Sequence, residues 1–164
     1  MNFQVGDLVV YPPQGGGTIQ EIVEREVLGK PQQYLKVVFV RGDMEVLVPL
    51  ASAVQVGLRR TLSDDEFGRL AQHAAEPLEL PSQWPPRFRA EQDILGRCDA
   101  FELARLAATL RLRDAERGLA STEREVMDNA LALLASEIAV VRGWSMEQSS
   151  EWLADTLSGT GTGA

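Results

Sequence analysis

The period of the apolar positions changes once along the chain, near residue 62. Before that point the apolar residues fall in short, β-branched-rich runs at 8–11, 19–27, 34–40 and 45–50, with a brief return at Val56-Gly57-Leu58. Turn chemistry separates them: Pro12-Pro13-Gln14-Gly15-Gly16-Gly17, then Leu28-Gly29-Lys30-Pro31, then Arg41-Gly42-Asp43. Gly42-Asp43 between two strand-like runs is a hairpin signal, because glycine accepts a positive φ without a Cβ clash. Four or five short antiparallel strands in so few residues predict a small SH3- or Tudor-like β-barrel. Such a module keeps an exposed edge strand to which a partner can add.

From Leu62 onward the spacing is helical. Ser63-Asp64-Asp65-Glu66 has the pattern of a capping box, and its helix is expected to end near Ala75. The prolines after Trp84 suit a first helical turn, so a second helix is expected from Trp84 to Gly96. Asp99 can cap a third, with Leu103, Leu106, Ala107 and Leu110 on one face and a stop near Gly118. Thr122-Glu123-Arg124-Glu125 reads as another capping box, opening a helix with Val126, Ala130, Leu133, Leu134, Ile138 and Val141 as its buried stripe. Ser145-Met146-Glu147-Gln148 opens a last short helix carrying Trp152, Leu153 and Leu157. The predicted class is α+β: a β module over 1–60, an all-α module over 61–158, and a small polar tail at 159–164 expected to be disordered.

Composition narrows the function by exclusion. The 164 residues carry a formal net charge of -8, so the chain is no bulk-cationic nucleic-acid binder. The charge is uneven, however: net 0 over 1–60, -4 over 61–86, +1 over 87–117 and -5 over 118–164. All seven basic residues of 87–117 are arginine, and this is the segment that could face phosphate. No apolar run approaches a membrane span and the N-terminus lacks a signal-peptide pattern, so the chain reads as soluble and cytoplasmic.

Catalytic and cofactor chemistry is poorly provided for. Gly15-Gly16-Gly17 is followed by Thr18-Ile19-Gln20-Glu21, which reads as strand, whereas a phosphate loop ends in Lys-Ser or Lys-Thr and opens a helix. The glycines therefore read as a tight β connection. Cys98 and His73 are the sole thiol and imidazole, and neither lies in a nucleophile motif, so a hydrolase reading has little behind it. No metal-ligand cluster or cofactor motif is present, and the chain is expected not to be an enzyme. Trp144, Trp152, Tyr11, Tyr34 and Phe39 fit core or rim positions.

The informative stretch is Trp84-Pro85-Pro86-Arg87-Phe88-Arg89. In one reading Trp84 is a core anchor and the arginines form a solvated face. In the other, Trp84 projects from a rigid corner beside phosphate-binding arginines and wedges against a base step.

Val5-Gly6-Asp7-Leu8-Val9-Val10-Tyr11-Pro12, Gly15, Tyr34-Leu35, Gly42-Asp43, Val48-Pro49 and Val56-Gly57-Leu58-Arg59 together resemble the N-terminal module of the CarD/CdnL family. Trp84 with Arg87-Phe88-Arg89, and Glu116-Arg117-Gly118-Leu119 followed by Glu123, resemble its helical module. The resemblance runs in order from about residue 2 to 157.

It implies a bacterial transcription regulator that binds RNA polymerase and associates with the nucleoid through it. The Tudor-like module, similar to that of transcription-repair coupling factors, would dock on the β1 lobe of the polymerase β subunit, with Arg25, Leu47 and Pro49 at contact positions. The helical module would meet promoter DNA at the upstream edge of the bubble. There Trp84 matches a minor-groove wedge, and Arg87 and Arg89 match backbone-contacting positions. Two departures stand out: relatives differ at the position of Leu47, and Pro85-Pro86 replaces polar or basic residues. A rival reading keeps the polymerase docking but gives the helices a protein rather than DNA as partner.

Overall fold

The computed structural model describes residues 2–158. The chain forms β1 (Leu8–Tyr11), β2 (Gly15–Val27), β3 (Lys30–Phe39), β4 (Glu45–Pro49) and β5 (Arg59–Arg60), with a 3-10 turn at Leu50–Ser52. The helices follow: α1 (Asp64–Phe67), α2 (Leu70–Ala74), α3 (Trp84–Arg97), α4 (Ala100–Arg117), α5 (Ser121–Arg142) and α6 (Met146–Ser158). The α+β class, a β module followed by helices, is as the sequence predicts. The 159–164 tail lies outside the described residues.

The strands make one antiparallel sheet in the order β4-β3-β2-β1-β5, so β4 is an edge. Leu28 and Gly29 turn the β2–β3 hairpin with φ of 52° and 78°, the mirror-image turn whose twist matches that of the strands. With only two residues in the turn, pairing reaches Val27 and Lys30, and both strands are longer than the apolar pattern shows. Val9, Ile19, Leu35, Val37, Phe39 and Val48 point to one side and form a small core with Leu58 and Phe3. The larger core belongs to the helices, where Leu103, Leu106, Leu110, Leu134, Ile138 and Leu153 are almost wholly buried.

The capping box expected at Ser63 forms, and a second one closes the start of α6. Ser63 and Glu66 exchange bonds of 2.9 and 3.3 Å, and Ser145 and Gln148 bonds of 3.0 and 3.1 Å. The box expected at Thr122 does not form: α5 starts at Ser121 with Ala120 as its N-cap, and no side chain caps it. Glu123 at its third position turns inward to meet arginines instead. The single helix expected over 63–75 breaks into α1 and α2 at Gly68-Arg69.

The triple glycine is not a turn. Gly15, Gly16 and Gly17 are buried strand residues of β2, the first two against α5 and the third against β3. A Cβ on Gly16 would lie 2.4 Å from the Ser136 carbonyl oxygen, and one on Gly15 would lie 2.3 Å from Ser136 Oγ. The helix backbone rests directly on the strand backbone, and Gly16 N–H donates to Ser136 Oγ at 2.9 Å. A contact joining residues 120 positions apart leaves no trace in local periodicity. Through it the helices and the sheet pack as neighbours, rather than as beads on a linker.

Candidate nucleic-acid and protein interfaces

Alternation along the strands sorts the first set of candidates. In register, Glu21 pairs with Lys36, Val23 with Tyr34 and Arg25 with Gln32. On the other side of β3, Tyr34 pairs with Pro49 and Lys36 with Leu47. Arg25, Leu47 and Pro49 therefore share the sheet face opposite the small core, with Val23, Tyr34 and Lys36 between them. Leu47 is 41% exposed on the edge strand, so this face offers both an apolar step and an unpaired strand edge. Tyr34 belongs to this face and not to the core; its hydroxyl donates to Gln32 at 3.2 Å. Period-2 spacing from Leu47 and Arg25 is the signal that finds Val23 and Tyr34.

The second set is organised by α3. Trp84 is the first helical residue, and Pro85 and Pro86 occupy the next two positions, where helix amides have no intrahelical acceptor. Fixed proline φ angles make that turn stiff, and the first helical bond runs from Arg87 N to Gln83 O at 3.0 Å. Trp84 leans on Phe88 with ring centroids 5.2 Å apart, while the Arg87 guanidinium lies 5.1 Å from its centre. One side of the indole is held and the rest is open, leaving 37% of the residue exposed. This arrangement is neither a core anchor nor a free surface tryptophan.

Arg87 departs from its expected role at a phosphate. It is 7% exposed; Nε donates to Glu123 at 2.9 Å and Nη1 to the Ser82 carbonyl at 2.8 Å. A guanidinium so committed supports the indole from inside the protein. Arg89 is exposed and makes no ion pair among the described residues. Arg113 and Arg117, one helical turn apart on α4, line a groove with Leu80, Pro81 and Ser82 on the Trp84 side of the molecule. Arg113 approaches Glu123 at 3.4 Å, whereas Arg117 is exposed. The arginine-only composition of 87–117 was the trace of this groove, but its two helices cannot be brought together from spacing alone.

Beneath Trp84 two carboxyls share one space. Glu91 is fully buried, neither of its oxygens accepts a bond, and it lies 3.8 Å from Arg87 Nε. Burial and the facing Glu123 carboxylate push the Glu91 carboxyl up to about 8. Burial opposes ionisation of Glu123 too, but the bond from Glu91 and the Arg87 cation hold it below the usual carboxylate range. At neutral pH Glu91 stays protonated, and Glu123 is the carboxylate that accepts its O–H.

The sign of the linkage follows. A folded value above the unfolded one gives stability that is whole below about 4.5 and is lost as pH rises through about 8. Glu91→Gln keeps a donor and cannot ionise, so it should raise Tm more at pH 8.5 than at pH 5. Equal Tm shifts at the two pH values would show that Glu91 does not titrate in this window.

Comparison with known proteins assigns both parts of the chain to domain families. Residues 3–62 match the CarD-like/TRCF RID domain family. Residues 70–154, more than half of the chain, match the CarD C-terminal domain family. The chain belongs to the CarD family. A protein of Bacillus subtilis (strain 168), "Putative transcription factor YdeB", is 30% identical over 149 residues, covering 89% of this chain and 96% of the relative. The CarD-family protein described here is thus a transcription regulator. No described helix is long and apolar enough to cross a membrane. Among the described residues, no group of three or more His, Cys, Asp or Glu is placed to hold a metal ion. Cys98 is buried, and burial pushes its thiol up to about 11.

Proposed function

We propose that this CarD-family protein docks on the β1 lobe of the RNA polymerase β subunit through the sheet face and edge bearing Arg25, Leu47 and Pro49. Trp84 then meets promoter DNA at the upstream edge of the bubble, wedges into the minor groove and slows bubble collapse. The observation that carries this reading is the mounting of Trp84: a half-open indole on a proline-stiffened helix start, backed by Phe88 and a buried arginine. Arg89 and Arg117 flank it as phosphate contacts, and Arg87 holds the indole in place.

The energetics are consistent with a net-acidic protein. A few arginines supply weak, sequence-independent affinity, and docking on polymerase raises the local concentration of the wedge. A side chain that binds only the opened junction shifts the closed–open equilibrium by its differential affinity. About 1–2 kcal/mol of such preference changes open-complex population or lifetime roughly 5- to 30-fold. No base is read; the fork geometry is the target, and association with the nucleoid follows from association with polymerase.

Permanganate reactivity of unpaired thymines at the upstream bubble edge tests the placement. Wild-type protein should extend or strengthen that reactivity, and Trp84→Ala should return it to the level of polymerase alone. A pattern identical with and without bound protein would favour the adaptor reading, in which the helices recruit another protein.

A further inference from the structure

The sheet and α3 are joined at the end of α3 far from Trp84. Arg59 of β5 pairs beside Val10 of β1, at the point where the chain leaves the sheet. Its guanidinium sends Nε and Nη2 to the Cys98 carbonyl at 3.2 and 2.7 Å. Nη1 and Nη2 fork onto Glu137 Oε2 and Oε1 at 3.0 and 2.8 Å, and Nη1 also donates to the Arg60 carbonyl at 3.0 Å. All five N–H donors of the side chain are used. Cys98 is the C-cap of α3, held at φ 53°, so a cation sits where that helix presents its negative end. Glu137, 1% exposed, also accepts Leu62 N–H at 2.7 Å. It follows Ser136, the residue that receives Gly16 of β2.

We propose that Arg59 is a positioning residue that fixes the angle of the Trp84 helix relative to the docking sheet. One side chain bonds the backbone end of α3, the middle of α5 and the sheet at once. The α3 helix is about 20 Å long, so a tilt of about 10° at Cys98 would carry Trp84 roughly 3–4 Å. A displacement of that size takes a wedge out of register with a base step. This inference rests on the docking and wedge reading above: polymerase holds the sheet, and Arg59 converts that hold into a place for Trp84.

Lysine cannot reproduce the arrangement, since its single ammonium cannot fork onto Glu137 and reach the Cys98 carbonyl in the same geometry. Arg59→Lys keeps the charge beside buried Glu137, and Arg59→Ala removes it, so the milder variant remains available if the other fails to fold. Spin labels at Gln33→Cys and Gln92→Cys, both exposed, report the distance between sheet and helix in the full-length protein. Buried Cys98, with its raised thiol, stays unlabelled.

Arg59→Lys is expected to broaden the distance distribution and leave polymerase affinity unchanged. It should also cut the gain in open-complex lifetime about 5-fold. A distribution as narrow as wild type, or a broad one with an undiminished lifetime gain, would overturn the proposal. A shortened lifetime with a narrow distribution would overturn it as well. Failure of the wedge reading shows separately, as a lifetime insensitive to Trp84→Ala; the distance distribution then decides alone whether Arg59 fixes the angle.

Discussion

Glu123→Ala is expected to lower the free energy of unfolding by about 3 kcal/mol, because it leaves a buried guanidinium without its carboxylate. Arg87 would keep only the Ser82 carbonyl, at 2.8 Å, and the distant Glu91 carboxyl, at 3.8 Å. The wild-type proton arrangement should also invert. With Glu123 gone, Glu91 loses a facing negative charge and becomes the only carboxylate beside Arg87, so its ionisation shifts to lower pH. Urea denaturation at pH 7 measures the first effect, and comparison at pH 5 and 8.5 measures the second. The indole should report the change too, since Arg87 lies against it. A variant within about 0.5 kcal/mol of wild type, the range of an ordinary surface substitution, would show that the Arg87–Glu123 pair does not hold this corner.

Gly16→Ala is expected to be as damaging, for a steric rather than an electrostatic reason. The added Cβ would meet the Ser136 carbonyl oxygen at 2.4 Å, its carbonyl carbon at 2.8 Å and the Glu137 Cα at 3.0 Å. Those are backbone atoms in the middle of a helix of 22 residues, and no rotamer change moves them. Overpacking of this kind costs about 1–3 kcal/mol, and α5 must lift from β2 to accept it. Gly96→Ala is the matched control. A Cβ there meets nothing within 4 Å, and the site is inside α3, so alanine should gain up to about 1 kcal/mol from helix propensity. Opposite signs for the two glycines, read by thermal or chemical unfolding, would place α5 on β2; equal small effects would contradict that packing.

Much of the fold could be read from local signals. The strand-to-helix change near residue 62, the Gly42-Asp43 hairpin, the Ser63 box, the helix opened at Ser145 and the boundaries of α3 and α4 all depend on residues a few positions apart. What escaped depends on long-range contact. Gly15-Gly16-Gly17 carries the composition of a turn, and only distant neighbours explain why strand residues lack side chains there: α5 over Gly15 and Gly16, and β3 against Gly17. Thr122 stands in a capping sequence, yet α5 already begins at Ser121 with Ala120 as its N-cap, so Thr122 lies inside the first turn and cannot cap it.

The candidate site divides the same way. Arg25, Leu47 and Pro49 share a face because strand register puts them there, and that register follows from alternation once the hairpins are known. The stiff helix start that carries Trp84 follows from the prolines beside it, whereas its half-open setting comes from Phe88 and Arg87. The burial of Arg87 was not legible, because its carboxylate partner lies 36 residues away in sequence. Arg117 and Arg59 were passed over for a related reason: each gains its meaning from an element that approaches only in the folded chain.

In the proposed mechanism Trp84, held at the end of a polymerase-docked arm, keeps the promoter open. The most direct test is the lifetime of a competitor-challenged open complex, formed with cognate polymerase on a ribosomal promoter. Wild-type protein should lengthen that lifetime roughly 5- to 30-fold, the range expected of 1–2 kcal/mol of preference for the opened junction. Trp84→Ala should bind polymerase equally well and lengthen it little or not at all. Equal lengthening by both proteins, or none by either despite saturating polymerase binding, would contradict the account.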